Sequence, residues 1–190
     1  MRELSFALEV VSRRWTLLLV LNLAFFSCAF ITALAADSFP SFSWAGASSL
    51  FAGRGEGGFF LTLVTIFAFN LVWAGFALIT VPGLLFFPLS TALLMYRAFL
   101  WGLLLHFQPT CFYPTILPLF CLEGEAYVFA ATGGTLVGAS WLNPNAIYRN
   151  EQLPRLQAMK RAFKEFLVCY MCTVVTLLFA AALESCILTF

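Results

Sequence analysis

The chain has 190 residues, 62% of them hydrophobic and 10% charged, with a mean hydropathy of +0.95 and a formal net charge of +1. That balance excludes a soluble globular domain, and a near-neutral charge gives no basis for a nucleic-acid partner. At roughly 20 apolar residues per crossing, the length accommodates about five spans in one transmembrane domain, 1–190, with no room for a separate soluble catalytic domain.

In the first fourteen residues, Leu4, Ala7, Leu8 and Val11 recur at helical spacing and leave Arg2, Glu3, Arg13 and Arg14 for water, which predicts a short interfacial helix. The first span is 15–36, too long for the apolar region of a signal peptide and therefore retained. Residues 37–58 form a loop broken by Asp37, Pro40, Arg54 and Glu56, with Trp44, Leu50 and Phe51 suited to headgroup level. The second span, 59–80, carries Asn70 near its middle, where an amide bonds a neighbouring helix for about 0.6–2 kcal/mol. Pro82 and Gly83 end that helix in a turn at 81–84. Because the turn has no charge, it dips into the bilayer only if protein or water covers its backbone.

The third span, 85–106, has Arg97 at its centre, which costs about 2.5–3.5 kcal/mol unless paired or hydrated. Ala98 and Gly102 add a small-residue contact beside it. After a turn at 107–117 containing Pro109 and Pro114, the fourth span runs 118–142. Residues 143–165 are the strongly charged segment, with Arg149, Glu151, Arg155, Lys160, Arg161, Lys164 and Glu165. They are expected to form a water-facing loop and amphipathic helix near anionic lipid. The fifth span is 166–188, with Glu184 near its far end.

The fourth span organises the rest. At about 100° per residue, Glu123, Tyr127, Ala130, Gly134 and Gly138 share one stripe, and Glu125 lies about 200° away. Gly134 and Gly138 allow close backbone approach, and an ionisable group at this depth needs a partner or water, so this helix is expected to be packed against protein. With five spans, the N-terminal side collects Arg2, Arg13, Arg14, Arg149, Arg155, Lys160, Arg161 and Lys164 against Arg54 opposite. The positive-inside rule then puts the N-terminus in the cytoplasm of a multi-pass cell-membrane protein. Helical rise places Glu184 about 6 Å, Glu123 about 8 Å, Arg97 about 14 Å and Asn70 about 17 Å from the outer ends of their spans. These four are expected to converge, with Arg97 paired to Glu123 across a short connection. Glu123, Glu125 and Glu184 outnumber Arg97, and an acid left without a cation is suited to relaying protons or binding a cation.

Catalytic, metal and cofactor signatures are not present. His106 has no acid or nucleophile nearby in sequence, and Cys169-Tyr-Met-Cys172 stands alone inside an apparent span, so it is read as packing. Cys28, Cys111, Cys121 and Cys186 likewise form no disulfide framework.

Pro118, Glu123, Ala126, Gly134 and Gly138, in the spacing P-x4-E-x2-A-x7-G-x3-G, resemble the central signature of the stage II sporulation protein M family. Ala180-Ala181-Ala182-Leu183-Glu184 is similar to that family's closing Ala-Ala-x-x-Glu, and Asn70 with Gly75, and Gly102 after Tyr96-Arg97-Ala98, to its second and third helices. The resemblance covers roughly residues 60–188. It departs at Leu119-Phe120, where the family commonly has His-Gly, and at Arg97-Ala98, where it often has Asn-Gly. It implies a multi-pass membrane protein, in some members part of an assembly that remodels the cell wall. Two functions are therefore expected to compete. One is a non-enzymatic subunit that assembles, in a homo-oligomer or with other membrane proteins in the lipid bilayer, through its Gly134/Gly138 seam and buried polar groups. The other is a small ion, proton or solute transporter or channel using the Asn70, Arg97 and Glu123 cluster.

Overall fold

A computed structural model describes residues 2–38, 58–108, 112–148 and 153–189. The expectations for Trp44, Leu50, Phe51, Arg54 and Glu56, and for Pro109, Cys111, Arg149 and Glu151, lie outside those residues. The chain is an all-α bundle. Helix α1 (Arg2–Arg13) leads into α2 (Trp15–Ala35); α3 spans Gly58–Leu85, α4 Phe87–Phe107 and α5 Tyr113–Leu142. A single turn, α6 (Pro144–Ile147), precedes α7 (Arg155–Thr189). Five of these, α2, α3, α4, α5 and α7, are long and apolar enough to cross a membrane.

Helix α5 is the axis of the bundle. Sixty-one per cent of its apolar window is buried, against 28–39% for the other four, and it packs on α7, α4, α3 and α2. Small residues explain the position. Ala126, Ala130, Ala131, Gly133 and Gly134 remove side-chain bulk on several sides, so neighbouring helices can approach on all of them. Between α2 and α5, Phe120 is 1% exposed and sits among Phe25, Phe26, Phe30 and Trp101, with ring centroids 5.2–6.0 Å away. Each buried aromatic pair adds about 0.5–1.5 kcal/mol beyond its burial.

The expected turn at 81–84 is instead helical, and the break falls at Phe86, which is extended at φ −146° and ψ 105°. Helix α3 gets past Pro82 by widening. Over Phe69–Thr80 it is a π-helix, and the Val81 N–H bonds the Phe76 carbonyl five residues back. The wider turn eases the clash a proline ring makes with the carbonyl four residues before it, and the missing N–H falls in the first turn of the α-helical segment Val81–Leu85. Pro88 then opens α4, where its missing donor costs nothing. Two further boundaries move. The fourth span starts at Tyr113 and carries Pro118 inside it, and the fifth is continuous with the amphipathic segment before it.

Protein covers the inner side of the corner at the break, while Leu85, Phe86 and Phe87 on its outer side are exposed. Trp141 Nε1 donates to the Leu84 carbonyl at 3.2 Å, and Ser90 Oγ lies 3.1 Å from the Ile79 carbonyl and 3.2 Å from that of Ala131. The corner seats on the Gly134/Gly138 stripe: a Cβ on Gly138 would lie 2.0 Å from the Gly83 carbonyl oxygen, and one on Gly134 3.0 Å from that of Thr80. Gly102 plays the same part between α4 and α2, where a Cβ would fall 2.4 Å from the Ala29 carbonyl. All three glycines thus serve contacts within the chain, and the Gly134/Gly138 seam is not an open face for a second copy. Gly138→Ala is expected to destabilise the folded protein by about 1–3 kcal/mol, because backbone rather than a flexible side chain must move. Thermal unfolding in detergent checks this, and an unchanged midpoint would contradict the close packing.

Candidate functional site

Four side chains from three helices meet at the centre of the bundle. Asn70 stands at the start of the π-helical segment of α3, Arg97 in the middle of α4, and Glu123 and Tyr127 one turn apart on α5. Asn70 Nδ2 donates to Glu123 Oε1 at 2.8 Å. The Tyr127 hydroxyl accepts from Arg97 Nη2 at 2.8 Å and donates to Glu123 Oε2 at 2.9 Å, with Asn70 Oδ1 3.3 Å from it. Arg97 Nη2 is itself 3.7 Å from Glu123 Oε2, and its guanidinium carbon lies 4.7 Å from the centroid of the Tyr127 ring.

The expected Arg97–Glu123 pair is therefore present, bridged by a tyrosine hydroxyl. Tyr127 belonged to the acidic stripe in sequence, yet its role was not legible there: a tyrosine in an apolar run reads as bulk. Glu123 is 4% exposed and both its oxygens are bonded, so its charge is spread over an amide, a phenol and a guanidinium. In low dielectric such bonds strengthen one another, and removing one member leaves the others stranded.

The remaining expected site residues lie elsewhere. Glu184 is buried near the far end of α7 and is engaged there. Glu125 is half-buried on the opposite side of α5, beside Asn22 of α2 and away from Arg97. The three acids thus occupy different settings. His106 has an acid after all: Asp37 Oδ1 is 3.2 Å from its Nε2, while Nδ1 is 2.9 Å from the Ala33 carbonyl.

A second polar centre corrects the reading of 143–165 as wholly water-facing. Glu165 is 1% exposed and sits under three arginines. Arg14 Nη2 is 2.7 Å from its Oε2, while Arg13 Nη1 is 3.5 Å and Arg161 Nε 3.6 Å from its Oε1. Arg14 and Arg161 lie 5.1 Å and 5.0 Å from the centroid of the Tyr148 ring. Burial first, and then the Glu165 charge, push the Tyr148 hydroxyl up to about 12, so a neutral ring faces the two cations. This clasp ties α1 and the start of α2 to α7 on the N-terminal side. Contacts across about 150 residues of sequence left no local signal for it.

Removing Glu123 as Glu123→Leu is expected to cost about 3–5 kcal/mol, because Arg97 is left charged and buried. Adding Arg97→Met should recover a large part of that loss, and Tyr127→Phe alone should cost about 1–3 kcal/mol. Unfolding by denaturing detergent measures all three, and losses that simply add in the double variant would show that the groups do not act together. Comparison of the chain with family models, with curated proteins and with solved structures finds no match.

Proposed function

We propose that this chain is a non-enzymatic subunit of a membrane assembly. The observation that carries the reading is how its intramembrane polar groups are divided. Asn70, Arg97, Glu123 and Tyr127 are turned onto one another inside the bundle, whereas Glu125 faces a groove that opens sideways on the surface of α2 and α5. A transport path needs polar groups strung from one side to the other and free to exchange partners. Here the central acid is bonded at both oxygens, and the hydroxyls of Thr80, Ser90 and Thr173 lie against backbone carbonyls. Closed polar contacts of that kind suit a rigid framework, and a carboxyl opening sideways suits contact with another membrane component.

The resemblance to the stage II sporulation protein M family supports the same reading, since some members of that family work within assemblies. The residues carrying it fall where a framework needs them: Glu123 in the central network, and Gly134 and Gly138 under the corner at Phe86. Phe120, standing where the family commonly has glycine, fills the aromatic core between α2 and α5. With bound detergent subtracted, the protein mass of the particle in mild detergent is expected to exceed the chain's own 21.1 kDa, and cells lacking it should lose a membrane complex. A monomer whose absence leaves every membrane complex intact would contradict this. Solute or ion flux in liposomes that Glu123→Gln abolishes would replace it with transport.

A further inference from the structure

Along the outside of the bundle, α2 and α5 enclose a groove of about 650 Å³ whose lining includes Trp15, Asn22, Phe26, Leu34, Glu125 and Phe129. From Trp15 to Leu34 the helical rise is about 28 Å, close to the thickness of a bilayer's hydrocarbon core. Leu23, Ile31 and Leu34 on its wall are 61%, 64% and 85% exposed, so the groove opens towards lipid. Trp15, itself 60% exposed, marks the headgroup level at one end.

Two polar groups lie well inside this apolar channel, about 10 Å along from Trp15. Asn22 donates through Nδ2 to the Leu18 carbonyl at 3.1 Å and also reaches Glu125. Its Oδ1 is buried with no hydrogen-bond partner. Among the described residues no cation pairs with Glu125. Asn22 Oδ1 is closed off from the groove, which therefore presents the Glu125 carboxyl alone, a charge-bearing group in an apolar channel with no cation beside it among those residues.

Depth decides what kind of molecule supplies one. A phospholipid keeps its charged groups at the membrane surface, and its acyl chains have no donor. A helix crossing the membrane can hold a lysine or arginine at any level, and about five turns of it fit the length of the groove. A second copy of this chain is poorly equipped: among the described residues, the cation near the middle of a span is Arg97, already engaged by Tyr127 and Glu123. We propose that the groove between α2 and α5 seats a transmembrane helix of a different protein, whose lysine or arginine pairs with Glu125. This rests on the reading of the chain as a subunit of an assembly.

A photoreactive residue placed at Leu23, with Val72 on α3 as the control position, tests this in the full chain in its own membranes. Val72 is similarly exposed, at 59%. The Leu23 probe should capture a spanning peptide of another protein that carries lysine or arginine at matching depth, and the Val72 probe should not. Glu125→Leu should reduce that capture by about tenfold or more, as expected for breaking a buried charge pair. Glu125→Lys combined with glutamate in place of the partner's cation should restore it. An unchanged melting midpoint of Glu125→Leu shows that the variant is folded. Adducts with lipid alone, with a second copy, or with a span lacking a cation overturn the inference, as does capture indifferent to Glu125→Leu. If the native particle is large while Leu23 meets only lipid, the groove inference fails and the subunit reading stands; a monomeric particle removes both.

Discussion

A guanidinium in the middle of an apolar bundle is the constraint around which the other features of this protein are arranged. Arg97 is mostly buried at the centre of α4, and the chain sets against it an aromatic face, a phenol oxygen and a carboxylate. None of these contacts is individually large: a bond between helices in a membrane contributes about 0.6 kcal/mol and rarely more than about 1.7. Their worth lies in what each prevents, since a stranded buried charge costs several kcal/mol. Because the four side chains come from α3, α4 and α5, engaging the arginine through Nη2 fixes the register of three helices at once.

The backbone meets the same demand by other means. Hydrocarbon leaves no solvent for a freed carbonyl, yet α3 carries Pro82 and then stops at Phe86. The solution combines a π-helical segment, hydroxyls from Thr80 and Ser90, the Trp141 indole, and a seat of glycines on α5. Outside the spans the clasp on Glu165 repeats the logic of the centre, with one buried acid holding arginines from distant parts of the chain. Both centres leave α5 and α7 fixed and one side of α2 open.

Legibility in the sequence followed the range of the interaction. Spans were readable because twenty apolar residues announce themselves locally, and the boundaries of α2 and α4 moved by only a few positions. The meeting of Asn70, Arg97 and Glu123 was readable because depth follows from helical rise and neighbours from short loops. What the pattern could not convey was partnership across long separations: Arg14 with Glu165, Asp37 with His106, and Tyr127 as bridge rather than filler. Pro82 misled for a local reason. Its usual effect is to end an α-helix, and here the helix changed its turn instead. The glycine stripe suggested a seam for assembly with another chain, because small residues in an apolar helix mark close approach without naming the occupant; the occupant is the chain's own corner.

The most direct measurement of the central claim is a solid-state NMR distance in bilayers between labelled Arg97 guanidinium nitrogen and labelled Glu123 carboxyl carbon. A separation of about 4 Å is expected for charge-assisted contact of this kind. Arginine and glutamate beyond the range of such contact, each hydrated by itself, would contradict the account at its base.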